Sequence, residues 1–127
     1  MQKRITPEIQ ITVTSQYLED ESRPEDFQFL FAYKVSIKNL GESAAQLMSR
    51  HWIIIDSLGR KEEVRGPGVV GVQPRIVPNQ VYEYDSSCSL NSSSGSMKGT
   101  YSMISSNGEP FTVEIPEFYL IAPNALN

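Results

Sequence analysis

One cysteine and one histidine are all that this sequence offers of the side chains that most often bind transition metals or act as nucleophile and base. Cys88 cannot close a disulfide within the chain, and a C-x₂-C ligand pair is impossible. His51 and Cys88 together fall short of a tetrahedral zinc set, so neither a metal nor a cofactor is predicted. No apolar run approaches the roughly 20 residues of a spanning helix, and no membrane association is predicted. Met1-Gln2-Lys3-Arg4 leads into polar sequence without the apolar stretch of a signal peptide, which with the single thiol makes a reducing cytoplasm the expected location. Excess positive charge is lacking too. The formal net charge is −4, so whole-molecule attraction to nucleic acid or anionic lipid is not expected. What remains is an ordinary globular composition, 39% hydrophobic and 20% charged over 127 residues, enough for one domain spanning 1–127 with its own core.

A helical period is missing as well, and an alternation of two takes its place. Ile9, Ile11 and Val13 alternate with Gln10, Thr12 and Thr14. Phe27, Phe29, Phe31, Tyr33, Val35 and Ile37 share one face of a long second strand, most of whose other positions are small or polar. Ala45–Asp56 follows, and its run Trp52-Ile53-Ile54-Ile55 is apolar on both faces, which predicts a central strand. Ser57-Leu58-Gly59-Arg60 reads as a tight turn into Lys61–Arg65. Val81–Tyr84, Met97–Met103 and Phe111–Ile115 are further strands. Asn107-Gly108 joins the last two as a type I′ hairpin, Pro116 ends the second of them, and a short strand covers Phe118–Ile121. Seven or eight short strands with turns between them predict an all-β sandwich, with a barrel as the alternative. Trp52 and at least one of Tyr82, Tyr84 and Tyr101 are expected in its core.

Several blocks resemble the bacterial ApaG proteins. They are Arg50–Asp56, Val64–Pro74, Tyr82-Glu83-Tyr84 with Cys88, Gly95–Tyr101 and Phe111–Phe118, with Pro24-Glu25 ahead of Phe31-Ala32-Tyr33. Two positions depart from the family pattern: Val72 replaces an acidic residue and Asn79 a glycine. The resemblance implies a fibronectin type III-like (immunoglobulin-like) sandwich. It implies a link to magnesium and cobalt efflux and a likeness to domains of F-box proteins and of a DNA-polymerase-delta-interacting protein, where they look like recognition modules. Pyrophosphate or nucleotide binding has also been suggested for the family's glycine loop.

Gly66-Pro67-Gly68-Val69-Val70-Gly71 fits G-x-G-x-x-G, but Pro74 closes the segment and no helical pattern follows, so the dinucleotide reading fails. A backbone nest for an anion stays open, built on Gly66, Gly68 and Gly71 with Arg65 and Arg75 beside it. Between residues 50 and 75, five basic residues outnumber three acidic ones, while the rest of the chain carries six basic and twelve acidic residues. The alternative is that the glycines serve a connection crossing between sheets. Arg50 and His51 are candidate partner contacts. No nucleophile or acid accompanies His51, and the run Ser92–Ser96 reads as a flexible turn, so no enzymatic activity is predicted. Glu19-Asp20-Glu21, Glu25 and Asp26 form a solvated loop without the ligand ladder of a calcium site. The function predicted is recognition of a protein partner, with binding of a phosphate-bearing small ligand as the alternative.

Overall fold

A computed structural model describes residues 8–123 and the backbone of residues 2–5. Nine strands are found among them: β1 (Gln2–Ile5), β2 (Ile9–Tyr17), β3 (Phe29–Asn39), β4 (Ala45–Asp56), β5 (Lys61–Pro67), β6 (Arg75–Ile76), β7 (Val81–Leu90), β8 (Ser94–Ser105) and β9 (Pro110–Ile121). One sheet runs β1-β2-β3-β7 and the other β5-β4-β8-β9, with β6 also paired to β4. The pairings are antiparallel, and the two sheets form the predicted β-sandwich. No helix among the described residues is long and apolar enough to cross a membrane.

Period-two side chains fill the interior. Ile11, Val13, Phe31, Val35 and Ile37 from one sheet meet Leu47, Trp52, Met97, Tyr101, Val113 and Leu120 from the other, all nearly inaccessible to water. Trp52 sits at the centre. Its ring packs edge-on against Tyr33 at 5.6 Å, Phe118 at 6.0 Å and Tyr101 at 6.4 Å, the offset geometry that aromatic quadrupoles favour. Trp52, Tyr84 and Tyr101 are thus core, as predicted, and Tyr82 is half-buried. β4 lies between β5 and β8, as predicted, but Ile53 and Ile55 on its outer side are only partly covered.

Two bulges depart from the simple alternation. β4 shifts register between Leu47 and Ser49, so Ala45 and Leu47 face inward before the shift and Trp52 after it. β9 is one continuous strand rather than a strand ending at Pro116 followed by a short one. Met97 pairs with Phe118 and Gly99 with Ile115, leaving Pro116 and Glu117 opposite Lys98. A bulge leaves a ladder position unpaired, and proline has no N–H to lose there. The same bulge turns Val113 and Ile115 on one side, and Phe118 and Leu120 on the other, into one core.

Other boundaries moved for local reasons. Phe27 does not belong to the second strand: it caps a single 3₁₀ turn (Pro24–Asp26) in the left-handed region at φ 57°, with 69% of its surface exposed. The serine run is half strand, and only Asn91–Ser93 turns. Ser92 Oγ donates to the Ser94 carbonyl and accepts from the Ser57 N–H, which fixes that turn. Asn107-Gly108 does join a hairpin, but only Gly108 has a positive φ (87°). That fits a type I turn closed by a left-handed glycine, not type I′. β1 and β6 have no counterpart in the alternation, which is why the strand count exceeds the predicted seven or eight.

Candidate functional site

The glycine segment does not cross between sheets. β5 pairs with β4 from Ile55↔Lys61 to Ser49↔Pro67, and β6 resumes along the same strand at Gln46↔Arg75 and Ala45↔Ile76. Between them the chain leaves the sheet edge and returns. The Gly68 N–H donates to the Met48 carbonyl at 2.8 Å, and the Leu47 N–H donates to the Pro74 carbonyl at 3.0 Å. Gln73 Nε2 donates to the Met48 carbonyl at 2.9 Å as well. The segment 69–73 therefore leaves a nearly continuous edge opposite the β4 bulge, with Val69 buried in the core at its foot and residues 70–73 exposed.

The extruded piece is a miniature hairpin. Val69 and Val72 exchange N–H···O=C bonds of 2.8 and 3.0 Å, and the two residues between them, Val70 and Gly71, have φ of 46° and 77°. Positive φ at both central positions is the mark of a type I′ turn, whose preferred pair is Asn-Gly. A nest needs successive residues of opposite hand, with their N–H groups free to converge. Here the hand does alternate from Gly68 through Val69 to Val70, but the N–H groups of Gly68, Val69 and Val72 are committed to backbone carbonyls. No helix follows, so the pyrophosphate geometry of a dinucleotide fold is absent from this segment.

Each glycine answers a different local demand. At Gly68, φ is 61° and a β-carbon would collide with the Val72 carbonyl. At Gly66 a β-carbon would lie 3.0–3.2 Å from the Arg50 guanidinium. Arg50 shares the inner face of β4 with Trp52, and Nη1 donates to the Pro67 and Gly68 carbonyls at 3.0 Å each. Its charge holds the foot of the extruded hairpin. His51, the next residue on the strand, points the opposite way. On the outer face its Nε2 lies 2.9 Å from Glu63 Oε1, and the Arg65 guanidinium reaches the same oxygen at 3.8 Å. The bond to His51, helped by Lys61, holds the Glu63 carboxyl below its usual range. Arg50 and His51, paired as contacts by the sequence, thus serve opposite faces. Arg75 lies on β6 beside Gln46, exposed.

Behind Arg50 lies a polar layer that the sequence did not announce. The Tyr84 and Tyr101 hydroxyls hydrogen-bond each other inside the sandwich. Burial pushes both phenols up, and the Arg50 charge only partly opposes it. Tyr33 is raised by burial too, against its hydrogen bond with Ser86. Cys88 is pushed up to about 11 by burial and by Glu62, which makes it a poor thiolate at neutral pH. Asn39, also missed, is buried at the far end of the sandwich. Its amide donates to the Ser43 and Ile76 carbonyls at 2.9 Å each, and its oxygen accepts from the Gly41 N–H at 2.8 Å. An asparagine ending an alternating strand just before Leu-Gly was the available signal. Asn79, at φ 69°, occupies a left-handed position, which accounts for the glycine usual there.

Among the described residues, no three of His, Cys, Asp and Glu come together in a way that could hold a metal ion. The arrangement offers a projecting apolar hairpin on a rigid edge, an outer face of mixed charge, and an acidic loop at one end. A family profile described as ApaG domain matches residues 19–105. The chain is 58% identical to a Protein ApaG of Bdellovibrio bacteriovorus over the whole of both chains. It is 45% identical to a Protein ApaG of Salmonella arizonae over 96% of this chain and 98% of that one. A crystal structure described as an ApaA protein from Bordetella pertussis superposes with a TM-score of 0.89 at 46% identity, covering 91% of this chain and 94% of the other.

Proposed function

The chain belongs to the ApaG domain family, and from that premise we propose that it is a non-enzymatic, cytoplasmic binding module that meets a protein partner through the extruded hairpin at residues 69–73. The observation that carries this reading is Val70. A β-branched residue at φ 46° is a genuine outlier, of a kind that costs on the order of 1–3 kcal/mol. Its side chain is 63% exposed, so burial in the folded chain does not offset that cost. Val72, 45% exposed, adds to the same tip. Asparagine would suit the turn and the solvent better. A residue that suits a contact better than it suits its own turn points to recognition. The family's link to magnesium and cobalt efflux would then run through the partner rather than through a metal held here.

The small-anion reading is the second one. With the Gly68, Val69 and Val72 N–H groups committed, a phosphate would have to be held by Arg65 and Arg75 from the flanks. The test is cross-linking capture from lysate with wild type, Val70→Asn, and the pair Arg65→Ala and Arg75→Ala, each with and without pyrophosphate. Loss of captured protein with Val70→Asn, together with unchanged or higher thermal stability, is the expected result. Capture untouched by Val70→Asn but abolished by pyrophosphate or by the arginine changes would replace this reading with the anion one.

A further inference from the structure

The end of the sandwich at the β2–β3 connection carries an apolar cavity of about 450 Å³, lined by Tyr17, Glu19, Pro24, Phe29, Ala122 and Pro123. Its floor is rigid. Tyr17 and Phe29 pack their inner faces on the core, Tyr17 meets Phe31 in a tilted ring contact at 5.3 Å, and the Ala122 N–H donates to the Ser93 carbonyl at 2.9 Å. Its rim is the loop 18–28, which is also fixed. The Leu18 N–H donates to the Leu30 carbonyl at 2.8 Å, and Ser22 Oγ links the Leu18 carbonyl to the Leu30 N–H. The Arg23 and Gln28 backbones pair across it.

Charge is distributed unevenly around this cavity. The loop holds Glu19, Asp20, Glu21, Glu25 and Asp26 against Arg23 alone, a net of −4. The whole chain is also −4, because its remaining ten acidic and ten basic residues cancel. The loop that forms one rim of the cavity therefore carries a charge equal to the protein's entire negative excess, with Glu19 at the cavity itself and the other four carboxylates exposed along the loop. Phe27 rises from the same loop with its ring exposed and its backbone held in the left-handed region by the Phe27 N–H bond to the Pro24 carbonyl.

We propose that this cavity and its acidic rim are a docking site for a cationic segment of a partner protein, lysines or arginines flanking one aromatic or aliphatic anchor. The anchor fills the cavity against Tyr17 and Phe29, which is the larger energetic share because apolar area leaves water there. The flanking cations meet the rim, and one of them can lie over the Phe27 ring. A pre-set loop lowers the ordering cost of binding. Nucleic acid and anionic lipid are repelled by the same charge. The site lies on a different surface from the extruded hairpin and stands or falls separately from it.

The test is a titration of the ¹⁵N-labelled full chain with the peptide Lys-Leu-Lys-Trp-Lys-Leu-Lys, followed by amide shifts and by fluorescence. Saturable binding is expected, with shifts concentrated at residues 17–19, 25–29, 93 and 122. Affinity should fall by about tenfold between about 50 mM and about 300 mM salt, since the rim is solvent-exposed. Glu19→Gln with Glu25→Gln and Asp26→Asn should weaken binding by about fivefold or more while the melting temperature stays put, because these side chains are exposed or at the cavity mouth. The peptide Lys-Ser-Lys-Ser-Lys-Ser-Lys should bind at least about tenfold more weakly for want of an anchor. Equal binding of the two peptides, shifts centred elsewhere, or no binding at millimolar peptide would each overturn the proposal. So would a concentration-dependent dimer that the triple variant dissolves, which would make a second copy of this chain the occupant.

Discussion

Removing the Tyr84 hydroxyl alone should cost more than removing both hydroxyls of the Tyr84–Tyr101 pair. Tyr101 is fully buried and Tyr84 is 8% exposed, and each hydroxyl has the other as its partner. In Tyr84→Phe the Tyr101 hydroxyl is left in the core with nothing to bond, which carries its full desolvation penalty of about 1–3 kcal/mol. Tyr101→Phe should lie at the lower end of that range, because the residual Tyr84 hydroxyl keeps a little access to water. The double variant loses a bond whose net worth is only about 1 kcal/mol and leaves no orphan, so it should be nearer wild type than Tyr84→Phe is. The coupling energy of the cycle should therefore be about 1 kcal/mol or more, in the sense that the second change rescues the first. Unfolding entropy of about 2.1 cal/mol/K per residue over 127 residues makes 1 kcal/mol worth about 4 °C in melting temperature. Differential scanning calorimetry of the four proteins resolves such shifts. Additive losses, with the double variant the least stable of the four, would refute the claim that the pair is sealed from water.

Alkaline pH should destabilise the protein through its buried phenols and its thiol. Folding raises Tyr33, Tyr84 and Tyr101 above 10.0, and Cys88 from 9.0 to about 11. Their contribution is complete below the unfolded values and is lost as pH climbs through the folded ones, so stability should decline from about pH 9 upward. Absorbance at tyrosinate wavelengths should show three of the six tyrosines titrating only with the unfolding transition. Early, independent titration of all six would contradict the burial of this cluster. Gly99→Ala should destabilise by about 3 kcal/mol or more, since its β-carbon would strike the His51 backbone carbonyl under Trp52, and neither can yield. Gly71→Ala, at φ 77° with open space around it, should cost only about 1–2 kcal/mol by chemical denaturation. Arg50→Ala should cost about 1.5–3 kcal/mol and raise amide exchange in residues 67–73, because it removes a charged double donor from the Pro67 and Gly68 carbonyls. Exchange unchanged in that segment would mean Arg50 does not brace the hairpin.

Alternation by twos was enough to read β2, β3, β4 and β8 as strands and to expect Trp52 and at least one of Tyr82, Tyr84 and Tyr101 in the interior, because side-chain direction in a strand is a local property with a fixed period. Tight turns at Gly59 and Gly108 were legible for the same reason: each depends on a few consecutive residues. The matching blocks from Pro24 to Phe118 carried the family. Local sequence could not show where a strand admits an extra residue. Pro116 read as an end because a proline has no N–H for the ladder, and only pairing with β8 shows that the position is a bulge that needs none. Nor could it show that β5 and β6 lie on one edge of β4, which makes the G-x-G-x-x-G segment a stitched-out hairpin rather than a connection crossing between sheets. Arg50 and His51 were grouped by adjacency, yet adjacent strand residues face opposite ways, and long-range register decided that Arg50 goes inward beneath Gly66. The acidic loop was visible from the start, but the cavity behind it is made by residues from both ends of the chain. Tyr17 and Ala122 meet only after the two sheets close, and that meeting is what tertiary structure alone decides.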